Sequence, residues 1–240
     1  MASKKRKATS RRSGRSSRGR QNSRQNRSFV QRYGLLIGVV VLAVVAVAVF
    51  ASLDQAGAGQ DAAPDDSALD KSLGAADAPV LVAEFADFQC PYCKQFADGP
   101  GQLLKEEYVD TGQVRFVFRH FAFLGDESTW AAEASDCADE QGRFWEYHDR
   151  LFEAQGAENS GAYSYDNLKA FAVELGLDTE QFNQCLDSGK YRSEVRQEYS
   201  EGQRFGVQGT PTLFVDGRLV RNGGDYQVLR GAIEAALAAD

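Results

Sequence analysis

The chain has 240 residues, 43% hydrophobic and 25% charged; that allows one or two domains and sets aside a wholly disordered or low-complexity chain. Its formal net charge of −7 hides a division. Residues 1–33 carry 12 lysines and arginines and no acid, so the other 15 basic residues stand against all 34 acidic ones, a net −19 for the remainder.

In chain order, the basic stretch comes first. It is rich in Ser, Arg and Asn, and it reads as a solvated cytoplasmic tail that sets topology. Binding to nucleic acid or to anionic lipid is the functional alternative; no nucleic-acid partner is expected. Residues 34–53, GLLIGVVVLAVVAVAVFASL, follow without a charge. A helix of that length, at about 1.5 Å per residue, spans a hydrocarbon core of roughly 30 Å. A cleaved signal peptide is the rival reading. Its apolar core is about 7–15 residues and its basic region is short, whereas this apolar run is longer and its basic region is 33 residues. The reading is therefore one N-terminal transmembrane helix. Arg11-Arg12 lies too far from the apolar run to mark a twin-arginine signal. Basic flanks stay cytoplasmic, which places residues 54–240 outside a cell membrane, anchored by a single pass. All four cysteines fall in that outer part, where lasting disulfides are permitted.

Residues 54–76, rich in Ala, Gly and Asp, read as a flexible acidic linker. Residues 79–85, PVLVAEF, suit a buried strand. After the Cys90–Cys93 segment, residues 94–110 carry helical spacing interrupted near Gly99-Pro100. Residues 114–118, VRFVF, form a second strand, parallel to the first across a helical crossover. From Ser128 a long helical region is expected, because Trp130, Ala134, Cys137, Phe144, His148 and Leu151 fall on one stripe. Further helices are expected over 166–175, over 179–188 with Asp178 as cap and Gly189 as stop, and over 191–205. Residues 212–215 and 218–221 flank Asp216-Gly217 as a hairpin with a two-residue turn. A terminal helix spans 226–238. The order is βαβ, a helical block, then ββα: one α/β unit, residues 77–240, with a helical insertion over about 125–204.

Cys90 and Cys93 enclose Pro91-Tyr92 at the expected strand-to-helix junction. A structural zinc site needs about four ligands, commonly two such pairs; Cys137, Cys185, His120 and His148 supply no second close pair. No metal and no cofactor are expected. Two merely buried cysteines fit poorly around Pro-Tyr at a junction, and a redox pair is the reading. Pro91 suits the first helical position. Cys90 then faces unbonded N–H groups and the positive helix end, both of which favour thiolate. Cys93 lies one turn deeper, less exposed, as the second thiol.

At this point the sequence resembles thioredoxin-fold disulfide oxidoreductases of the DsbA kind, membrane-anchored type. The likeness rests on EFADFQCPYC, AAEASDCADEQGRFWEYHDRLF, LGLDTEQFNQCL and GVQGTPTLFVDGRLV, and covers about residues 77–238 in order. It implies a thioredoxin fold interrupted by a helical domain, with Cys90 as nucleophile and Cys93 as resolving cysteine. Pro211 would be a cis-proline against the disulfide, exposing the backbone near Thr210 to an extended substrate. Glu84 would be a buried acid that moves a proton to or from Cys93. Pro91 and Tyr92 are expected to tune the site, as is Asp87. Some anchored relatives carry an extra disulfide at similar places, which implies a structural Cys137–Cys185 bond; two separate buried thiols are the alternative. His148 reads as a core histidine, and His120 receives no role. The implied activity is insertion of disulfides into exported proteins by a monomer, reoxidised by a quinone-linked membrane partner. A reductase, an isomerase or a tethered substrate-binding module remain alternatives.

Overall fold

The structure, a computed structural model, describes residues 71–239. The basic tail, the expected span at 34–53 and most of the 54–76 linker lie outside these residues. Among the described residues no helix is long and apolar enough to cross a membrane.

A mixed five-stranded sheet carries the fold, in the order β1-β3-β2-β4-β5. The central strand β2 (Val80–Ala86) is buried along almost its whole length, because it is covered on both faces. It runs parallel to β3 (Val114–His120), Val80 opposite Val114 and Ala86 opposite His120, as expected for strands joined by a helical crossover. Between them lie α1 (Pro91–Asp98) and α2 (Pro100–Leu104), which continues as a π-helical turn through Val109. The interruption expected at Gly99-Pro100 is real: Gly99 ends one helix and caps the next.

Two readings are corrected here. The linker was expected to run to residue 76, yet Ser72–Leu73 form a short strand, β1, antiparallel to β3. Lys71 just before it is buried, with Nζ 3.1 Å from Asp136 and 2.8 Å from Glu198. Two residues carry too little strand propensity to be seen alone; the free edge of β3 makes them a strand. The second correction concerns the long stripe from Trp130 to Leu151. It is two helices, α3 (Asp126–Asp139) and α4 (Phe144–Glu153), with Gly142 at φ +67 between them. A helical period persisting across a break describes two helices that share one core.

The rest of the insertion follows the expected order: α5 (Tyr165–Glu174), α6 (Thr179–Ser188) and α7 (Arg192–Arg204). Asp178 caps α6, accepting from the backbone N–H groups of Glu180 and Gln181, and Gly189 ends it in left-handed conformation. Cys137 on α3 and Cys185 on α6 form a disulfide, Cα–Cα 5.9 Å. The helix α7 packs against β3. A Cβ at Gly202 would lie 2.6 Å from Phe121 and 3.0 Å from Phe85, so only glycine permits that approach. The chain closes with the hairpin β4 (Thr212–Val215) and β5 (Arg218–Val220), turned by Asp216 and Gly217, both at positive φ, and with α8 (Tyr226–Leu237).

Strand parity sorts the core. Val80 and Val82 point to the face covered by Phe96, Leu104, Leu229 and Ile233, while Ala83 and Phe85 meet Phe121, Val207 and Phe214 on the other. Glu84 belongs by parity to the first, apolar face. A third cluster joins Phe88, Cys90, Cys93 and Phe118 to the insertion.

Candidate active site

The antiparallel register of β2 with β4 places Phe85 opposite Thr212. The chain leaving β2 toward Cys90 therefore meets the chain entering β4 from Thr210-Pro211. That peptide bond is cis, and the Cys90 thiol donates to the Thr210 carbonyl at 3.3 Å.

Cys90 caps α1 with extended backbone and Pro91 at the first helical position, as anticipated. Tyr92 is 68% exposed, whereas Cys90 and Cys93 are buried, Cys93 fully. The Cys90 thiol is held down to about 6. The main cause is a hydrogen bond from the Cys93 thiol, working against burial; the backbone N–H groups of Cys93 and Tyr92 add to it. The helix terminus thus contributes, but the neighbouring thiol matters more. Burial and the same hydrogen bond push Cys93 well above an ordinary thiol. The two sulfurs are driven apart, one toward thiolate and one toward thiol.

Glu84 lies beneath them, 3% exposed, its carboxyl raised to about 8 by burial and then by the charge of Cys90. The sign of the resulting stability effect is unusual for a carboxylate. The native state keeps a proton that the unfolded chain has released, so stability falls as pH rises between the unfolded value near 4.5 and about 8. Glu84→Gln removes this dependence. Its stability relative to the parent should improve by about 3 kcal/mol between about pH 5 and 8, read from denaturant unfolding at both pH values.

Asp87, which the sequence offered as a tuning residue, is joined by Ser128, Gln155 and Tyr163, which it did not, to fix the turn before Cys90. The buried Asp87 carboxylate accepts from the N–H groups of Gln89 and Phe123, both 2.8 Å, from Leu124 N–H at 3.1 Å and from the Ser128 hydroxyl at 2.7 Å. Gln155 donates to the carbonyls of Phe88 at 2.6 Å and Cys90 at 3.1 Å. The Tyr163 hydroxyl sits 3.0 Å from the Phe88 carbonyl and 2.8 Å from that of Leu151. The helical insertion thereby holds the active-site turn. Ser128, Gln155 and Tyr163 lie up to 75 positions away in sequence, and no local signal marks them.

Tyr92, Gln95, Pro100, Thr210, Pro211 and Gly224 border an open groove beside the cysteines. His120 is buried, its Nε2 2.9 Å from Asp136, and His148 is a buried core residue as expected. Among the described residues no three His, Cys, Asp or Glu side chains are grouped to hold a metal ion.

A reactive cysteine pair set at a helix start against a cis X–Pro loop, on this sheet, defines a thiol–disulfide oxidoreductase, an enzyme whose substrates carry thiols or disulfides. Comparison with known proteins agrees: residues 67–235 match the family described as thioredoxin, and the chain belongs to that family. A protein of Bacillus anthracis named probable disulfide bond formation protein D is 34% identical over 171 residues, covering 70% of this chain and 78% of that one. The crystal structure of oxidised BdbD from Bacillus subtilis superposes with a TM-score of 0.69 at 31% identity, covering 73% of this chain and 96% of that one. A protein of Salinispora tropica named Na(+)/H(+) antiporter NhaA 3 is 36% identical over 179 residues, which are 73% of this chain but 26% of that protein.

Proposed function

We propose that the chain is a membrane-anchored extracytoplasmic oxidase that introduces disulfides into exported proteins through its Cys-Pro-Tyr-Cys segment. One observation carries this reading: a Cys90 sulfur that favours thiolate beside a buried Cys93 that favours thiol. A reduced pair stabilised in this way makes its disulfide oxidising.

The chemistry balances as follows. A substrate thiolate attacks the Cys90 sulfur of the Cys90–Cys93 disulfide. The S–S bond breaks, and the Cys93 sulfur leaves with the electron pair and takes a proton from Glu84. A second substrate thiolate then attacks the substrate sulfur of the mixed disulfide. Cys90 departs as a thiolate, a good leaving group because its pKa is low. The substrate is oxidised by two electrons and the cysteine pair is reduced. Thr210 and Pro211 present backbone to the extended substrate, while Pro91 and the exposed Tyr92 set the local environment of Cys90. The Cys137–Cys185 bond is structural. A quinone-linked membrane partner takes the electrons from the reduced pair, and the protein works as a monomer held to lipid by residues 34–53. This reading needs no cofactor of the chain's own.

The direction of electron flow is decided by two measurements on the full-length protein. The rate of alkylation of reduced Cys90 should rise with pH to a midpoint of about 6, leaving the sulfur about nine-tenths ionised at pH 7. The stabilisation of the reduced form is full above the ordinary thiol value of about 9 and is lost progressively as pH falls from there to about 6. The reduction potential should lie nearer about −120 mV than about −270 mV, the oxidising rather than the reducing end of the thioredoxin-fold range. A potential at the reducing end would make the protein a reductase.

A further inference from the structure

The proton that Glu84 exchanges with Cys93 has to reach solvent, and Glu84 itself is 3% exposed. Glu84 borders a cavity of about 150 Å³ lined also by Gln102, Lys105, Trp145, His148 and Asp149. Leu73, Phe96 and Phe116 make part of its lining apolar, and a space of that size with these polar groups on it has room for several waters. Its lining holds an arrangement that packing alone does not require. His148 is buried among the rings of Phe88, Phe118, Trp145 and Phe152, with centroids 4.8 to 5.7 Å away. A phenylalanine would fill that nest without the cost of burying polar nitrogens. The imidazole Nδ1 lies 2.9 Å from the carboxylate of Asp149, whose side chain is 65% exposed. A titratable ring thus lines the same cavity as Glu84 and touches, through its own nitrogen, a carboxylate in solvent.

We propose that His148 and Asp149 are positioning residues of a proton path that connects Glu84, through water in this cavity, to the surface. When the pair is reoxidised, the Cys93 thiol gives its proton to the Glu84 carboxylate. Glu84 passes it to cavity water, and the imidazole takes a proton at one nitrogen while releasing one from the other toward Asp149 and solvent. Nothing is oxidised or reduced in the transfer; one proton leaves for each thiol consumed. In the reductive direction the same path runs inward. Burial, the main cause, keeps the His148 ring below its ordinary pKa, so it is neutral and free to accept. The charged and titratable groups around the path are Asp149 on the ring's own helix, His120 on β3, and Cys90 and Cys93 at the start of α1. Lys105 lines the cavity as well, its ammonium held 2.9 Å from Asp110.

The proposal rests on Glu84 as the proton acceptor, and the experiment separates the two. Rapid-mixing kinetics of oxidation and reduction of the Cys90–Cys93 pair are measured on the full-length protein, with His148→Gln, Asp149→Asn and Glu84→Gln as variants. His148→Gln and Asp149→Asn should slow the step roughly a hundredfold, the low end of what positioned proton transfer contributes, at neutral pH and above, without moving the reduction potential. Free imidazole should restore the rate of His148→Gln, and the solvent deuterium isotope effect should grow in both variants. A slow Glu84→Gln with the other two at the parent rate overturns the path and leaves Glu84 in place. Parent rates in all three overturn both. Slowing accompanied by a shifted potential and no imidazole rescue assigns His148 to packing and overturns the path. Asp149 is exposed enough that its Asn variant reports even where His148→Gln fails to fold.

Discussion

Cys90→Ser should reduce disulfide exchange to the uncatalysed background, while Cys93→Ser should leave the protein trapped as a mixed disulfide on Cys90. Both cysteines share one apolar cluster, yet they differ in access. Cys90 ends the turn as the helix cap, with its thiol against the Thr210 carbonyl and the groove of Tyr92, Thr210 and Pro211 beside it. Cys93 is fully buried one turn further in. An incoming thiolate therefore reaches only the Cys90 sulfur, and access decides which sulfur of a disulfide is attacked. A serine hydroxyl at position 90 is neither ionised at neutral pH nor able to form an S–S bond, so no partial activity remains. With Cys93 replaced, the adduct on Cys90 has no internal thiol to resolve it and accumulates. Intact-mass analysis after incubation with a small disulfide-linked peptide dimer, whose S–S bond the remaining cysteine thiolate attacks with release of one peptide thiolate, beside a turnover assay, reads both outcomes. An adduct on Cys93 in the Cys90→Ser variant, or retained turnover, would reverse the assignment of the two sulfurs.

Replacing both Cys137 and Cys185 by alanine should cost about 4 kcal/mol of stability, because the bond closes a 48-residue separation. For a domain of this size the loss lowers the melting temperature by about 8–16 °C. The bond ties α3 to α6, and both cysteines lie inside the cluster that also surrounds Cys90 and Cys93. The insertion is what holds Gln155 and Tyr163 on the active-site turn. Turnover at low temperature should persist, then fail at a lower temperature than in the parent. Thermal unfolding followed by circular dichroism checks the first part. A loss below about 1 kcal/mol would mean that helix packing, rather than the constraint on the unfolded chain, secures the insertion.

What the sequence alone determined is what neighbouring residues impose on one another. A strand, a turn and Pro91 after Cys90 suffice to place a cysteine at a helix start. Alternation in VRFVF gives the second strand, Asp216-Gly217 the hairpin, and Asp178 and Gly189 the ends of α6. The position of Glu84 in an apolar strand was equally plain. Its burial came from resemblance, because part of the cover over that face comes from elements far along the chain, such as Trp145. The pairing of Cys137 with Cys185 came from resemblance, since 48 residues of spacing fix no geometry. Tertiary structure alone decided the rest. It made Ser72–Leu73 a strand by offering it the edge of β3, and it split one helical stripe into two helices. It also gathered Asp87, Ser128, Gln155 and Tyr163 around a single turn, and set His148 and Asp149 on the same cavity as Glu84. The physical reason is range. Capping, turn chemistry and periodicity act within a few residues, whereas burial, and the pKa values that burial sets, depend on which distant segments come to cover a group.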